Sequence, residues 1–373
     1  MRRVVISGTG FHAPAPRISN EELVAAFNAY VRRHNAEHAG EIEAGTRQPL
    51  AESSAEFIEK ASGIRCRHVV DKAGLLDPER LVPSIAERGD DQICVQAELA
   101  VAAARGALAK AGREAADIDA VIVAATGLQR AYPAVAVEVQ QALGARGYAY
   151  DMNVACSSAT FALRSAVDAV ACGSARRALV ICPEVCSGWL DWRDRDCHFI
   201  FGDAAVAMVV EAADDAVSAV RFEVLGSRLQ TQFSNNIRNN FGFLNRCEDG
   251  DPLARDKLFY QQGRKVFKEV CPMVAEQILD HIGEHGLTPA DLSRLWLHQA
   301  NINMNDLVTK RVLGPDFRRE QAPMVLDEYA NTAAAGSVIA FHFHSDDLLT
   351  GDTGVICSFG AGYSIGSVIV RKL

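Results

Sequence analysis

Apolar and polar positions alternate along the chain in two rhythms. Ala120-Val121-Ile122-Val123-Ala124-Ala125 is an unbroken apolar run after Asp119. Such a run reads as a strand buried on both faces. The Ala- and Leu-rich stretch 92–111 reads instead as a helix, started by Asp90-Asp91 and stopped at Gly112. Tyr148 to Ala155 predicts another strand, and Ser157 to Cys172 a helix ended by Gly173. Val4-Val5-Ile6, Ala178–Cys182, Ala204–Glu211, Leu295–His298, Gly354–Phe359 and Ser364–Arg371 complete the strands. Strands alternating with helices define the α/β class.

Two patterns recur. Ala115-Ala116-Asp117-Ile118-Asp119-Ala120-Val121-Ile122-Val123 returns as Pro289-Ala290-Asp291-Leu292-Ser293-Arg294-Leu295-Trp296-Leu297. Phe201-Gly202-Asp203-Ala204, followed by Val206 and Val209-Val210, returns as Phe359-Gly360-Ala361-Gly362, followed by Ile365 and Val368-Ile369-Val370. The same order at similar offsets predicts two similar halves, 1–215 and 216–373. Residues 28–56 and 71–90 break the pattern: they are polar, show no clear period, and read as insertions on the surface or over a pocket mouth, with disorder the alternative for the second.

Composition narrows the function. With 373 residues, 49% hydrophobic, the chain has room for one large domain or two fused ones. A net charge of −9 argues against a general nucleic-acid binder. No apolar run reaches membrane-spanning length, and no signal peptide is read, which predicts a cytoplasmic protein. The 10 cysteines form no CxxC pair and no His/Cys quartet, so most are expected to be buried thiols and no metal is expected.

Three residues carry candidate chemistry. Cys156 joins a strand to a helix, where free N–H groups and the helix dipole favour thiolate, the nucleophilic form. A packed cysteine at a strand end fits the local context equally well. His298 ends an apolar strand before Gln299-Ala300-Asn301; by itself it also fits a satisfied core histidine. Asn331 sits among small residues in Ala330-Asn331-Thr332-Ala333-Ala334-Ala335-Gly336, where a helix cap is the alternative. Phe359-Gly360-Ala361-Gly362-Tyr363 is a tight glycine turn that lacks dinucleotide-binding spacing.

Taken together, Ser62-Gly63-Ile64-Arg65, Asn153-Val154-Ala155-Cys156-Ser157-Ser158, Phe201-Gly202-Asp203-Ala204, His298-Gln299-Ala300-Asn301, Ala330-Asn331-Thr332 and the final glycine turn resemble the β-ketoacyl-acyl-carrier-protein synthase III family, in the family's order and over most of the chain. The resemblance implies a thiolase-like fold, with two similar βαβαβ-type halves in five layers, αβαβα. It implies a homodimeric acyltransferase of fatty acid biosynthesis. Such an enzyme loads an acyl primer from acyl-CoA onto Cys156, then condenses it with malonyl-acyl carrier protein, losing CO2, with no cofactor. Cys156, His298 and Asn331 would be the catalytic set, and the backbone N–H groups of Cys156 and Ala361 the oxyanion hole.

By the same resemblance, Arg195, Phe57, Asn301, Arg264, Lys268 and Lys310 would meet coenzyme A or the carrier. Phe57 stands where the family has tryptophan, and Ala61 and Asn303 where it has arginine. A solvated helix face is the alternative for each lysine. Tyr132 and Phe359 would border the acyl pocket, and the branch resembled takes primers longer than acetyl, in the medium-chain range. Rival readings are head-to-head condensation of two acyl thioesters, O- or N-acyl transfer, and a non-catalytic subunit of a condensing heterodimer. The first needs a carboxylate base, and Thr126–Val137 contains no Asp or Glu.

Overall fold

A computed structural model describes residues 2–251 and 254–373. Nine strands form one strongly bent sheet. Their spatial order is Leu292–Leu297, Thr353–Gly360, Gly362–Lys372, Phe222–Ser234, Val4–His12, Ala204–Ala212, Arg177–Glu184, Ala120–Ala124 and Tyr148–Met152. Among the described residues, the strand pairs Val5–Glu223 and Ile6–Phe222 join the two sides. On one side Ala120–Ala124 runs parallel to Arg177–Glu184, which is antiparallel to Ala204–Ala212, itself antiparallel to Val4–His12. Leu292–Leu297, Thr353–Gly360, Gly362–Lys372 and Phe222–Ser234 repeat that order and those directions on the other.

Strand alternation builds the layers. Ile122, Val180 and Met208 point to one face and pack with Ala159, Ala162, Leu163 and Ala166 of the helix Ser158–Cys172. Ile356, Val368 and Val370 meet the same cluster from the other side, with Val338 and Phe341 of the helix Gly336–Phe343. These two helices are the middle layer. Val121, Val123, Leu179 and Ile181 face outward onto the helices Val95–Ala111 and Val135–Leu143. Leu295, Leu297, Val355 and Ile369 face Gly263–Glu284 and Ile302–Leu313. The result is the five-layer αβαβα thiolase arrangement, with strands sheathed on both faces, as unbroken apolar runs require.

The middle helices fit because small residues line the contact. A Cβ on Gly366 would lie 2.1 Å from Thr160 Oγ1, so the strand passes the helix only with glycine there. No helix among the described residues is long and apolar enough to cross a membrane.

Three local expectations need correction. The helix Val95–Ala111 starts later than predicted, because Cys94 caps it, its Sγ accepting the Ala97 N–H at 3.4 Å; Asp90 and Asp91 lie before it. The strand from Tyr148 stops at Met152, since Ala155 takes a left-handed φ of 47° that no strand continues through. The stretch from residue 28 is not without period. It continues the helix Asn20–Glu37, opened by a Ser19–Glu22 capping box and buried through Leu23, Ala26, Phe27 and Val31. Within 71–90, Asp71 caps Lys72–Leu76 and accepts the Ser84 N–H, while Leu75 and Leu81 join the apolar cluster that also holds Trp192 and Phe201.

Candidate active site

The chemistry-bearing residues gather at the carboxyl ends of the parallel strands, the usual position for sites in α/β sheets. Thr126, Cys156 and Glu184 follow or end the strands on one side. His298 and Phe359-Gly360 do so on the other.

Cys156 stands in a turn tied at every step. Asn153 Oδ1 accepts from Ala155 N at 2.9 Å, and its Nδ2 donates to Thr126 O at 2.9 Å. Ser158 Oγ accepts from Val154 N at 2.8 Å and donates to Ala155 O at 2.7 Å. These bonds hold Ala155 in its positive-φ conformation, which costs on the order of 1–3 kcal/mol unaided. The effect is to project Cys156 from the start of the helix, only partly exposed. The backbone of Cys156 and of Ala361 favours the ionised form of its thiol.

The pull of the N–H groups and helix dipole toward thiolate is outweighed in the folded protein. Burial first, and the Glu184 carboxyl second, push the Cys156 thiol up to about 12, outweighing the N–H groups that favour ionisation. At neutral pH the resting group is the thiol.

His298 is buried and leaves the strand with its N–H bonded to Cys357 O at 2.8 Å. Burial pulls its ring down to about 4, against a smaller opposing contribution from the Ala333 backbone. The ring is therefore neutral. Phe359 packs edge-on against it at 5.3 Å, and Nδ1 has no hydrogen-bond partner among the described residues. Asn331 is held by Asn331 N–H to Ile200 O at 3.0 Å and Gly202 N–H to Asn331 O at 3.1 Å. Its Oδ1 accepts from Ala333 N at 2.9 Å, which fixes the amide orientation and leaves the NH2 as the free donor end.

Contacts link the three residues. A Cβ on Gly360 would lie 2.6 Å from Cys156 Cβ and 3.1 Å from Sγ, so the glycine turn lies directly on the sulfur. Phe359, one residue earlier, touches His298. His298 and Asn331 both contact Ala333, and Cys156 shares an apolar cluster with Phe201, Ala330 and Ala333. Gly360→Ala is expected to displace the sulfur and cut thiol acylation at least about tenfold, because overpacking of about 1–3 kcal/mol falls on the reacting atom. Acyl mass uptake against time would measure it, and an unchanged rate would contradict this packing.

A cavity of about 830 Å³ opens beside the site, its wall including Phe57, Ala61, Arg264, Asn301, Met304 and Asn331. Cys156 and His298 are not part of this wall. Arg195 and Phe57 do come together, but on each other: the guanidinium lies 4.2 Å over the ring, and Nε donates to Glu52 O at 2.8 Å. No planar base fits between them unless Arg195 swings out. Asn301 is already engaged, capping its helix through Oδ1 to Asn303 N at 2.8 Å and donating to Ala61 O at 2.6 Å. Lys268 and Lys310 are exposed and outside the wall, and Tyr132 is 85% exposed. Phe359 is buried against His298 in the core below the outer helices, not along the cavity.

Two buried carboxyls had no assigned role. Glu184 ends its strand with Oε1 accepting from Thr126 N at 2.8 Å and Ala334 N at 3.1 Å. Burial pushes it up to about 8. Asp203 accepts from Ser187 Oγ at 2.6 Å, Ser187 N at 2.8 Å and Val70 N at 2.8 Å, and burial raises it to about 6. For Glu184 the available signal was an acidic residue closing an apolar strand, the same cue that singled out His298.

The fold and this cluster define a thiolase-fold condensing enzyme. Residues 150–232 match the 3-oxoacyl-[acyl-carrier-protein (ACP)] synthase III family, and residues 282–372 its C-terminal region. A β-ketodecanoyl-[acyl-carrier-protein] synthase of Pseudomonas aeruginosa is 60% identical over 347 residues, 93% of this chain and 99% of that protein. A β-ketoacyl-[acyl-carrier-protein] synthase III of Chelativorans is 32% identical over 325 residues, 86% of this chain and 91% of that one. The crystal structure of a 3-oxoacyl-(acyl carrier protein) synthase III from Pseudomonas aeruginosa superposes with a TM-score of 0.75 at 25% identity, covering 99% of this chain and 98% of the other. The chain belongs to the 3-oxoacyl-[acyl-carrier-protein] synthase III family, and its reaction is acyl transfer coupled to decarboxylative condensation in fatty acid synthesis.

Proposed function

We propose that this enzyme loads a medium-chain acyl group from acyl-CoA onto Cys156 and condenses it with malonyl-acyl carrier protein. The observation that carries the residue roles is the contact path from Cys156 through Gly360 and Phe359 to His298, and through Ala333 to Asn331. Primer length rests on the Pseudomonas aeruginosa relative named for a β-ketodecanoyl product. Decarboxylative condensation adds two carbons, so the corresponding primer is octanoyl.

In the first half-reaction the Cys156 sulfur attacks the thioester carbonyl. The N–H groups of Cys156 and Ala361, already directed at the sulfur, stabilise the oxyanion. The proton lost by Cys156 ends on the departing coenzyme A thiol, so one thioester is exchanged for another. In the second, malonyl thioester binds with its carbonyl oxygen facing His298 and Asn331. A neutral imidazole protonated on Nε2 and the Asn331 NH2 donate to that oxygen as CO2 leaves and enolate charge develops there. The enolate carbon attacks acyl-Cys156, and the thiol is regenerated with the β-ketoacyl product.

No cofactor enters either step. Arg264, on the cavity wall, would serve the incoming thioester's arm, with Lys268 and Lys310 outside it receiving the acidic carrier. Arg195 and Phe57 would part to admit coenzyme A. The repeated strand order supports two similar halves dividing near residue 215. The exposed Tyr132 supports a homodimer in which a second copy covers it and closes the acyl pocket. Substrates of this kind support a cytoplasmic enzyme.

Mass spectrometry after incubation with acyl-CoA thioesters from acetyl to dodecanoyl tests this reading. Octanoyl is expected to load fastest, and malonyl-acyl carrier protein then to yield β-ketodecanoyl product. A preference for acetyl would refute the primer assignment. A product without CO2 release would favour head-to-head condensation or simple acyl transfer instead.

A further inference from the structure

Glu184 is fully buried and pairs with no Lys or Arg among the described residues. A buried carboxyl without a cation is costly to ionise and stays neutral where it can. Its position joins three segments of the site. Oε1 accepts from Thr126 N at 2.8 Å and from Ala334 N at 3.1 Å, three residues after Asn331. Oε2 lies 4.0 Å from Cys186 Sγ. The Thr126 hydroxyl is buried without a hydrogen-bond partner among the described residues, and it favours the ionised form of both this carboxyl and the Cys156 thiol. The turn that carries Asn331 is thus fastened to the strand end next to the sulfur through one side chain.

We propose that Glu184 is a positioning residue for the condensing reaction: its carboxyl fixes the Asn331 turn beside Cys156, and its charge state governs how readily the Cys156 thiol ionises. The proposal deepens the reading of Cys156 as nucleophile and rests on it. Two properties meet in this one group. As a hydrogen-bond acceptor it sets geometry at any pH. As an acid held up to about 8 it is neutral at neutral pH and becomes an anion just above. Rising pH therefore places negative charge beside the thiol in the range where a thiol would otherwise begin to ionise, and that charge opposes thiolate.

The other titratable groups facing it are few. Cys182 precedes it on its own strand, Cys186 follows it, Cys156 comes from the nucleophile turn, and Asp203 from the start of Ala204–Ala212. All three cysteines are themselves pushed up, chiefly by burial. His298, adjoining Ala333, is neutral above about 4 and contributes no charge in this range. Glutamine at 184 would accept the same two N–H groups without a charge, which separates geometry from electrostatics.

The experiment measures iodoacetamide alkylation of Cys156 between pH 7 and 10.5 in the full-length enzyme, resolved by peptide mass so that the exposed Cys172 and Cys247 are not counted. Condensation at pH 7 is assayed alongside. Glu184→Gln is expected to alkylate about tenfold faster at pH 9.5, the equivalent of one pKa unit, and to condense within about threefold of the unmodified enzyme at pH 7. Glu184→Ala, which orphans both N–H groups, is expected to lose at least about tenfold in condensation, more than it loses in acyl loading. Superimposable alkylation profiles for the unmodified enzyme and Glu184→Gln overturn the electrostatic part, and normal condensation by Glu184→Ala overturns the geometric part. Should the alanine variant not fold, the glutamine profile still decides the coupling. Alkylation needs no acyl donor, so a shifted profile in an enzyme that never acylates Cys156 would sink the nucleophile assignment and leave the coupling standing.

Discussion

Cys156→Ala is expected to gain no acyl mass from any acyl-CoA and to form no β-ketoacyl product. The loss should be complete within detection, because the sulfur is the only group proposed to bond covalently to the primer, and a methyl group offers no nucleophile. The substitution should leave the fold intact. It removes the sulfur of a partly exposed residue at the edge of an apolar cluster, a change expected to cost about 1 kcal/mol or less, and the hydrogen bonds of the turn come from Asn153 and Ser158, not from the thiol. The donors His298 and Asn331 remain, so malonyl thioester should still lose CO2, its enolate now taking a proton from water instead of attacking an acyl group. Release of labelled CO2 without condensation is thus the signature that separates the nucleophile from the rest of the site. Acyl mass still arriving on the Cys156→Ala protein would place the nucleophile elsewhere, with Cys186, in the same apolar cluster, the first residue to test.

The layered architecture was readable because its strands are buried on both faces. Ala120–Ala124 and Ala204–Ala212 have no solvent side, so their apolar runs are unbroken save for Glu211 near the end of the second, and their identity as strands follows directly. Helix ends at Gly112 and Gly173 were readable for a similar reason, since each takes the left-handed conformation that glycine favours. Starts were less visible. A cysteine capping Val95–Ala111 breaks the preference for Ser, Thr, Asp or Asn, and no local pattern announces it. The helix running from Asn20 past residue 28 was obscured because its exposed face merges into the polar stretch that follows.

At the site, position along the chain was legible and ionisation was not. The strand–helix junction at Cys156 marks a place where backbone N–H groups favour ionisation of the sulfur. The sign of the net effect depends on the folded surroundings: burial of the thiol, and second to it the Glu184 carboxyl 28 residues away in sequence, reverse it. The contact of Arg195 with Phe57 likewise depends on two segments far apart in the chain. Long-range juxtaposition of charge is the part of an active site that one-dimensional patterns carry least well.

His298→Ala and Asn331→Ala should divide the reaction at its midpoint. Each is expected to load acyl groups on Cys156 at close to the normal rate, since the oxyanion hole proposed for that step is backbone at Cys156 and Ala361. Each should then lose about 10²–10³ in malonyl decarboxylation, the usual loss for one donor to a developing oxyanion, equivalent to about 2.7–4 kcal/mol. The double variant should lose less than the product of the two, because the donors share one oxygen and do not act independently. His298 is held near 4 by burial, so it is neutral from pH 6 to 9 and the defect of His298→Ala should be constant over that range. A defect that shrinks toward pH 6 would mean an imidazolium participates, contradicting the neutral-donor role. Asn331 carries a second function, because Oδ1 accepts the Ala333 N–H that shapes the turn around His298. Asn331→Asp keeps that acceptor and removes the donor. If it proves as defective as Asn331→Ala in decarboxylation while still acylating normally, the amide N–H is the working part; if it condenses normally, the contribution of Asn331 is the shape of the turn and the enolate depends on His298 alone.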